Sequence, residues 1–462
     1  MQADSRKIIS ENIVADRSKL KIICVFLHRI YFGRIPYERQ YRGKKRKAMN
    51  ITELQQSYAS HPNVEGVCRL LKDNSVRHLY CGGLYASAAS LFSSVLVQRA
   101  TCPLVFILGD MEEAGYFYHD LTQILGTEQV LFFPSSFRRA IKYGQKDAAN
   151  EILRTEVLSR LQKGEEGLCV VTYPDALAEK VVSRKELGEN TLKLHAGERV
   201  DMNFVTDVLR SYGFEYVDYV YEPGQYAVRG SIIDVFSFSS EYPFRIDFFG
   251  DEVESVRTFE VETQLSKEKK ESIVIVPDLS HSLEKKGSGG MVSFLDFLPS
   301  DSLLAMRDFL WLRERIQTVH DESLTPQAIA ARESEENGAI TLEGKLIDGG
   351  EFTLRALDFR RMEFGNKPTG TPDATISFHT TVQPIFHKNF DMVAESFREY
   401  LSRHYTIYIC SDSLKQTDRI RAIFEDRGDN ISFTAVERTL HEGFADDTLR
   451  ICICLLYTSD AA

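Results

Sequence analysis

The sequence lacks the short motifs that mark common catalytic centres. It contains no HExxH, no GxSxG and no acidic helicase box after an apolar strand. No apolar run approaches the roughly 18 residues that a membrane-spanning helix needs. Several histidines stand alone, without a second metal ligand at a suitable spacing: His78, His119, His195 and His441. These absences exclude the usual metallohydrolase, serine-hydrolase and helical membrane-protein classes, and we assign no catalytic residue and no metal site.

Cysteine pairs of the CxxC type are also missing. The eight cysteines are scattered through apolar stretches, which favours buried free thiols in a reducing cytoplasm. Two of them, Cys452 and Cys454, alternate with isoleucines and predict a strand. The eight are Cys24, Cys68, Cys81, Cys102, Cys169, Cys410, Cys452 and Cys454.

Composition and length indicate a globular protein of about three domains, since 462 residues are too many for one ordinary hydrophobic core. The net charge of −11 is unevenly distributed. Residues 1–48 hold 13 Lys/Arg against 4 Asp/Glu, whereas the remaining 414 hold 43 against 63. Affinity for DNA depends largely on Lys and Arg side chains that neutralise its phosphates. The excess of acidic residues in 49–462 therefore argues against broad DNA binding. A protein partner is the better expectation.

The two ends differ from the rest of the sequence. Residues 1–48 are basic and lack a signal-peptide core, and we interpret them as a leader that is not native, with Met49 as the start. The last eight residues, LLYTSDAA at 455–462, resemble translated adapter DNA. They follow an apolar strand pattern that ends abruptly, which predicts a truncated chain.

Residues 49–190 alternate short apolar runs with helical patterns, which predicts a parallel sheet covered on both faces. The predicted strands are 77–81, 103–108, 129–133 and 168–172, and the predicted helices are 87–98, 112–125, 148–161 and 174–181. The acidic residues Asp110, Glu112 and Glu113 are expected to cap the second of these helices and to fill its first turn.

Residues 191–276 change to short runs joined by turns, which predicts a small antiparallel α+β domain. We assign 277–370 to a continuation of the first domain and 371–454 to a second small α/β domain. The fold class is therefore multidomain α/β. The strands expected in the antiparallel domain are 217–221, 225–229, 232–236, 244–249 and 252–259. For 371–454 we expect helices at 392–402 and 415–426 and strands at 406–410, 431–435 and 449–454.

The turn after the first strand occupies the place of a phosphate-binding loop but lacks its chemistry. If Gly83 is aligned with the first glycine of GxxxxGK[ST], Ala88 replaces the second glycine and Ala89 replaces the lysine. Only Ser90 keeps its residue type. Alanine carries no charge for the phosphates, and its methyl group hinders the backbone conformation that glycine permits. A tight turn without nucleotide is favoured, so no cofactor is expected for this chain.

The segment 222–260 carries a long resemblance. Its sequence, EPGQYAVRGSIIDVFSFSSEYPFRIDFFGDEVESVRTFE, resembles the UvrA-binding module shared by UvrB and the transcription-repair coupling factor family (Mfd). The similarity extends from Met49 to about Cys454 and weakens across 277–370. UvrB keeps an intact phosphate loop and a long tyrosine-rich hairpin. Here the loop is degraded and the corresponding region is short, which favours the coupling factors.

The resemblance implies a RecA-like first domain without ATPase activity and a chain that recruits UvrA. The complete family member couples transcription to nucleotide excision repair, displacing RNA polymerase stalled at DNA lesions. Its RNA polymerase contact and its ATP- and Mg²⁺-dependent DNA motor would lie in a C-terminal part missing here. The implied UvrA-contacting residues are Arg229, Arg245 and Phe249. We expect a cytoplasmic monomer with no membrane contact.

Period two along 244–249 agrees with the implied site in one respect. Phe244, Ile246 and Phe248 fall on one face of the strand, and Arg245, Asp247 and Phe249 fall on the other. An aromatic residue beside an arginine on the face away from the core is typical of an interface anchor. From the residues alone, Phe249 covering a neighbouring loop is the favoured explanation.

Three alternatives stay open: a fragment of a UvrB-type repair helicase, a P-loop nucleotide hydrolase, and a scaffold unrelated to repair. The missing loop lysine counts against the first two. The third requires the match at 222–260 to be a coincidence.

Overall fold

The computed structural model describes residues 48–136, 148–279, 290–323, 344–386 and 389–455. Most of the predicted leader and tail therefore lies outside the described residues. Numbered along the chain, the helices are α1 Ile51–Ala59, α2 Pro62–Leu70, α3 Ala88–Arg99, α4 Met111–Leu125, α5 Ala148–Lys163, α6 Pro174–Ala178, α7 Arg184–Glu189, α8 Met202–Ser211, α9 Phe294–Phe297, α10 Phe309–Ser323, α11 Gly349–Ala356, α12 Phe390–Ser402 and α13 Leu414–Asp426.

The strands are β1 Met49–Asn50, β2 His78–Gly82, β3 Leu104–Ile107, β4 Val130–Phe133, β5 Cys169–Thr172, β6 Val181–Val182, β7 Leu192–His195, β8 Glu215–Tyr216, β9 Gln225–Arg229, β10 Ile232–Val235, β11 Phe244–Phe249, β12 Glu252–Phe259, β13 Ser266–Lys270, β14 Ser272–Ile275, β15 Met291–Val292, β16 Leu303–Met306, β17 Arg360–Glu363, β18 Ala374–Ser377, β19 Thr380–Val382, β20 Thr406–Ser411, β21 Thr434–Glu437, β22 Phe444–Asp446 and β23 Ile451–Cys454.

The first sheet is parallel throughout, with seven strands in the order β18-β2-β17-β16-β3-β5-β4. Strands such as LVFI and VLFF are buried along their whole length, as expected of a parallel sheet with both faces covered. The predicted parallel sheet is therefore confirmed, whereas the RecA-like assignment stays a prediction. The predicted cap is also present, since Asp110 accepts a hydrogen bond from the Glu113 amide at 2.9 Å.

The second sheet has six strands in the order β13-β12-β11-β10-β9-β8. It is antiparallel except for the short β8–β9 pair. Helix α8 covers one face through Val205 and Leu209. The strand predicted at 217–221 is wrong: β8 ends at Tyr216, and the following loop buries Val220 in a small core and packs Val217 partly against it.

The third sheet has the order β1-β21-β20-β23-β22-β19 and draws on distant parts of the chain. Met49–Asn50 pairs with β21, while Ala374–Ser377, beyond the predicted boundary at 370, pairs with β2 of the first sheet. Strand pairing between residues far apart in sequence thus crosses the boundary drawn from composition. Side chains of the third sheet, including Tyr408 and Phe444, pack in the same core as the first sheet.

One residue of the predicted tail is part of this third sheet region. Leu455 is buried, its amide donates to Gln383 Oε1 at 2.8 Å, and its carbonyl accepts from Gln383 Nε2 at 3.0 Å. The polypeptide is therefore integrated into the fold up to Leu455, one residue past the predicted end of the domain.

Candidate protein-binding site

The side chains of strand β11 alternate between the two faces of the second sheet, one apolar and one polar. Phe244, Ile246 and Phe248 lie in the apolar core under α8, as predicted from the period of two. Arg245 and Phe249 lie on the opposite face, together with side chains of β9, β10 and β12. The three predicted UvrA-contacting residues therefore share this polar face.

Arg245 is held tightly by a buried carboxylate. Its Nε and Nη2 donate to the two oxygens of Asp234 at 2.7 and 2.8 Å, and its Nη1 donates to the Gln264 carbonyl at 3.0 Å. The hydrogen bonds from Arg245 to Asp234 raise the arginine's pKa above its ordinary value. Only 14% of the side chain is exposed, so Arg245 supports the face more than it presents itself to a partner.

Arg229 shares Asp234 but reaches further out. Its Nη2 pairs with the Asp234 carboxylate, and 36% of the side chain is exposed. The guanidinium lies over the ring of Tyr219, 5.1 Å from the ring centroid. Asp234 thus joins two of the predicted residues, a connection that the strand pattern did not indicate.

A second carboxylate on this face repeats the arrangement. Asp247 pairs with Arg257 and accepts a hydrogen bond from Ser255 Oγ at 2.7 Å. Period two along β11 predicted Asp247 on this face, whereas Arg257 was not predicted. A bulge in the β11–β12 pairing interrupts the alternation along β12, where Val253 and Val256 both lie in the core, so Arg257 could be placed only from the strand register.

The Phe249 side chain is exposed and does not belong to a hydrophobic core. It ends β11 opposite Glu252, and 79% of the residue is exposed. Among the large apolar side chains of the described residues, none has a larger exposed fraction. An exposed phenyl ring beside partly available guanidinium groups can fill an apolar pocket of a protein whose carboxylates pair with the arginines.

The degenerate phosphate loop is used for internal contacts. Gly83 has φ +76°, and a Cβ there would come within 2.1 Å of the Phe378 carbonyl oxygen. The Tyr85 amide donates to Thr380 Oγ1 at 3.0 Å, and that hydroxyl donates to the Gly83 carbonyl at 2.7 Å. Ala88, Ala89 and Ser90 are all buried. Thr380 on strand β19 therefore occupies the Tyr85 amide, a hydrogen-bond donor that a phosphate in this loop would need.

The residues just before β22 form hydrogen bonds at the start of α3. Ser87 Oγ donates to Asp120 Oδ2 at 2.7 Å and accepts from the Glu442 amide at 3.0 Å. The His441 amide donates to the other Asp120 oxygen at 2.7 Å. These bonds join the start of α3 to the segment that leads into the third sheet.

A cavity of about 350 Å³ remains beside this loop, and its charge is unsuited to a phosphate. Among the described residues that line it, Arg307 is the one arginine, and it pairs with Glu113. A triphosphate would face five carboxylate side chains without a free lysine. The five are Asp110, Glu112, Glu113, Asp120 and Glu442.

The described part of the chain holds no group of three or more potential metal ligands, and none of its helices is long and apolar enough to cross a membrane. Seven described cysteines are free thiols, and Cys24 lies outside the described residues. Burial is confirmed for five of them and is only partial for Cys68 and Cys102.

Comparison with known proteins places the polar face in a recognised domain. A family model described as the UvrB interaction domain matches residues 192–281. The transcription-repair-coupling factor of Escherichia coli is 29% identical over 198 residues, and that of Bacillus subtilis is 30% identical over 196. Each alignment covers 42% of this chain and 17% or 16% of the relative.

A Staphylococcus aureus relative extends the similarity along the chain. This transcription-repair-coupling factor is 22% identical over 416 residues, covering 79% of this chain and 35% of its own length. The chain thus spans about a third or less of the curated relatives it matches. The predicted resemblance is confirmed: the chain carries a UvrB interaction domain and is related to the transcription-repair-coupling factors over most of its length.

Proposed function

We propose that this chain is the UvrA-recruiting part of a transcription-repair coupling factor. The observation that carries the proposal is that the UvrB interaction domain at 192–281 exposes Phe249 on the same face as Arg229. In the complete protein, a separate ATP- and Mg²⁺-dependent motor would move on DNA and displace stalled RNA polymerase. The recruited UvrA would then begin excision repair in the cytoplasm.

The three predicted contact residues take different roles in this proposal. Phe249 is the apolar anchor, and Arg229 supplies hydrogen-bond donors to a carboxylate of UvrA. Arg245 pairs with the buried Asp234 and balances its charge, because an unpaired buried carboxylate would be costly. The Asp234 carboxylate in turn holds Arg229 in place. The exposed anchors are expected to dominate affinity, because a few central aromatic and arginine residues usually do so.

Calorimetric titration with UvrA tests the proposal. Phe249→Ala should weaken binding about thirtyfold, the effect of losing a typical anchor. The matched control is Phe204→Ala, which removes another exposed phenylalanine, on α8 at the apolar side of the sheet. The control should bind like the unmodified chain, and UvrB should compete for the same complex. Unchanged binding of Phe249→Ala would reject the proposed surface.

We further propose that the first domain is RecA-like but binds no ATP. The buried Ala89, the loop amide taken by Thr380 and the acidic cavity support this view. Titration of a fluorescent ATP analogue with Mg²⁺ should show no saturable signal. A saturable signal that unlabelled ATP displaces would instead favour a nucleotide hydrolase.

A further inference from the structure

The loop at 217–222, which follows β8, has an ordered backbone and two outward tyrosines. Val220 is fully buried against Ala227, Phe236 and Phe259. The amides of residues 221 and 222 both donate to Gln225 Oε1 at 3.0 Å. On either side of the buried valine, Tyr219 and Tyr221 are half exposed. Their exposure therefore results from a loop anchored at its centre.

Tyr219 differs from Tyr221 in what its ring supports. The Arg229 guanidinium lies over the Tyr219 ring, within the range of a cation–π contact, while one of its nitrogens pairs with Asp234. Asp234 is the one hydrogen-bond acceptor of Arg229 among the described residues. The guanidinium is thus oriented from two sides and keeps further donors for an incoming carboxylate.

The strand register places this pair near Phe249. Arg229 is opposite Ile232, which is opposite Asp247, and Phe249 is two residues further along β11. With strands about 4.8 Å apart and a rise of about 3.3 Å per residue, the Cα atoms of Arg229 and Phe249 lie roughly 12 Å apart. One protein interface of ordinary size spans that distance.

We propose that Tyr219 belongs to the partner-binding surface, where it orients Arg229 toward a carboxylate of the partner protein and contacts the partner with its exposed edge. This inference rests on the proposed function and adds a residue to it. The resulting Tyr219–Arg229–Phe249 patch combines a cation with two exposed aromatic rings. It fits a protein surface that presents an acidic side chain beside apolar recesses, because aromatic and arginine side chains are enriched at such interfaces.

Calorimetry with UvrA and single variants of the full chain tests the inference. Tyr219→Ala should weaken binding about five- to tenfold, whereas Tyr219→Phe, which keeps the ring, should stay within about twofold of the unmodified chain. Tyr221→Ala is the matched control from the same loop and should also stay within about twofold. In an Arg229→Ala background, Tyr219→Ala should have little further effect, because its main role is to orient that arginine.

The outcomes separate this inference from the proposed function. If Tyr219→Ala binds UvrA normally while Arg229→Ala and Phe249→Ala bind weakly, Tyr219 lies outside the surface and only the inference is overturned. If all three bind normally, the proposed function fails. Should Tyr219→Ala lower the melting temperature, Tyr219→Leu, which keeps the bulk without the aromatic face, decides: weak binding supports the inference, and normal binding overturns it.

Discussion

The loop at 83–90 and the polar face of the second sheet both carry groups that could bind a ligand. In the loop these groups are bonded inside the protein, whereas on the polar face they are held at the surface. In the loop, the Tyr85 amide and the Ser87 hydroxyl are bonded to Thr380, Asp120 and Glu442 inside the protein. On the polar face, the buried Asp234 holds Arg229 near the surface. A binding surface therefore differs from an internal contact in whether its hydrogen-bonding groups point to solvent or to the protein interior, and not in whether such groups are present.

The same contrast holds for two glycines with left-handed backbones. Gly83 and Gly230 have φ of +76° and +61°. A Cβ at Gly83 would collide with the Phe378 carbonyl, whereas a Cβ at Gly230 would meet no heavy atom within 4 Å. The loop is packed against its neighbour, and the β9–β10 turn is open.

The largest expected effect comes from Gly83→Ala. Backbone strain and the collision with Phe378 together should lower the free energy of unfolding by about 4 kcal/mol. Gly230→Ala, the matched control, carries strain alone and should cost about 1 kcal/mol. Urea denaturation followed by circular dichroism measures both. Equal losses would mean that the loop is not packed against β18 and β19 as described.

The next effect separates the two arginines that share Asp234. Arg245→Ala removes two hydrogen bonds from a buried carboxylate and should lower the free energy of unfolding by about 3 kcal/mol. Arg229→Ala leaves the Arg245 pair intact and should cost about 1 kcal/mol or less. Thermal unfolding of both variants gives the difference. A larger loss for Arg229→Ala would reverse the roles assigned to them.

A smaller, pH-dependent effect is expected where the third sheet meets the first helices. Burial opposes ionisation of Asp446, but the neighbouring His61 ring, the Leu449 amide and the Tyr58 hydroxyl hold its pKa below the ordinary 3.8. Because the folded pKa is the lower one, the stabilisation is present above about pH 3.8 and is lost as the pH falls through the folded value. Asp446 is fully buried and bonded to Tyr58 Oη at 3.1 Å.

Asp446→Asn should therefore lower the free energy of unfolding by about 2 kcal/mol at pH 7, and this loss should shrink below pH 3.8. Urea titrations of the variant and the unmodified chain between pH 7 and pH 2.5 measure it. Glu442→Gln, which changes a carboxylate in the same region but leaves the Glu442 amide bond to Ser87 in place, is the control. A difference that does not depend on pH would argue against an ionised Asp446 in the folded state.

Sequence periodicity worked best where turns and alternation agreed. The strands at 225–229, 244–249 and 252–259 have the predicted bounds, because Gly or Pro turns enclose the first two and Gly250 precedes the third. It failed at 217–221, where Val217 and Val220 pack against a small core from a loop that is not a strand. The strand predicted at 431–435 lies at Thr434–Glu437 instead, since its register is set by β20.

The candidate site was predictable in part. Period two placed Arg245 and Phe249 on the face away from the core, and the exposure of Phe249 agrees with that. The pairing of Arg229 and Arg245 through Asp234 was not predictable, because it depends on β9, β10 and β11 being neighbours in a particular register. The β11–β12 pairing, with its bulge after Asp247, brings Arg257 to Asp247.

The sequence by itself determined the alternation of strands and helices, the loss of the phosphate-loop lysine at Ala89 and the resemblance at 222–260, because each depends on residues close together in the chain. The tertiary structure alone decided that Ala374–Ser377 pairs with β2 and that Met49–Asn50 pairs with β21. It also decided that Thr380 fills the loop at Gly83. Such contacts join residues hundreds of positions apart, and their geometry is set by packing that no local pattern encodes.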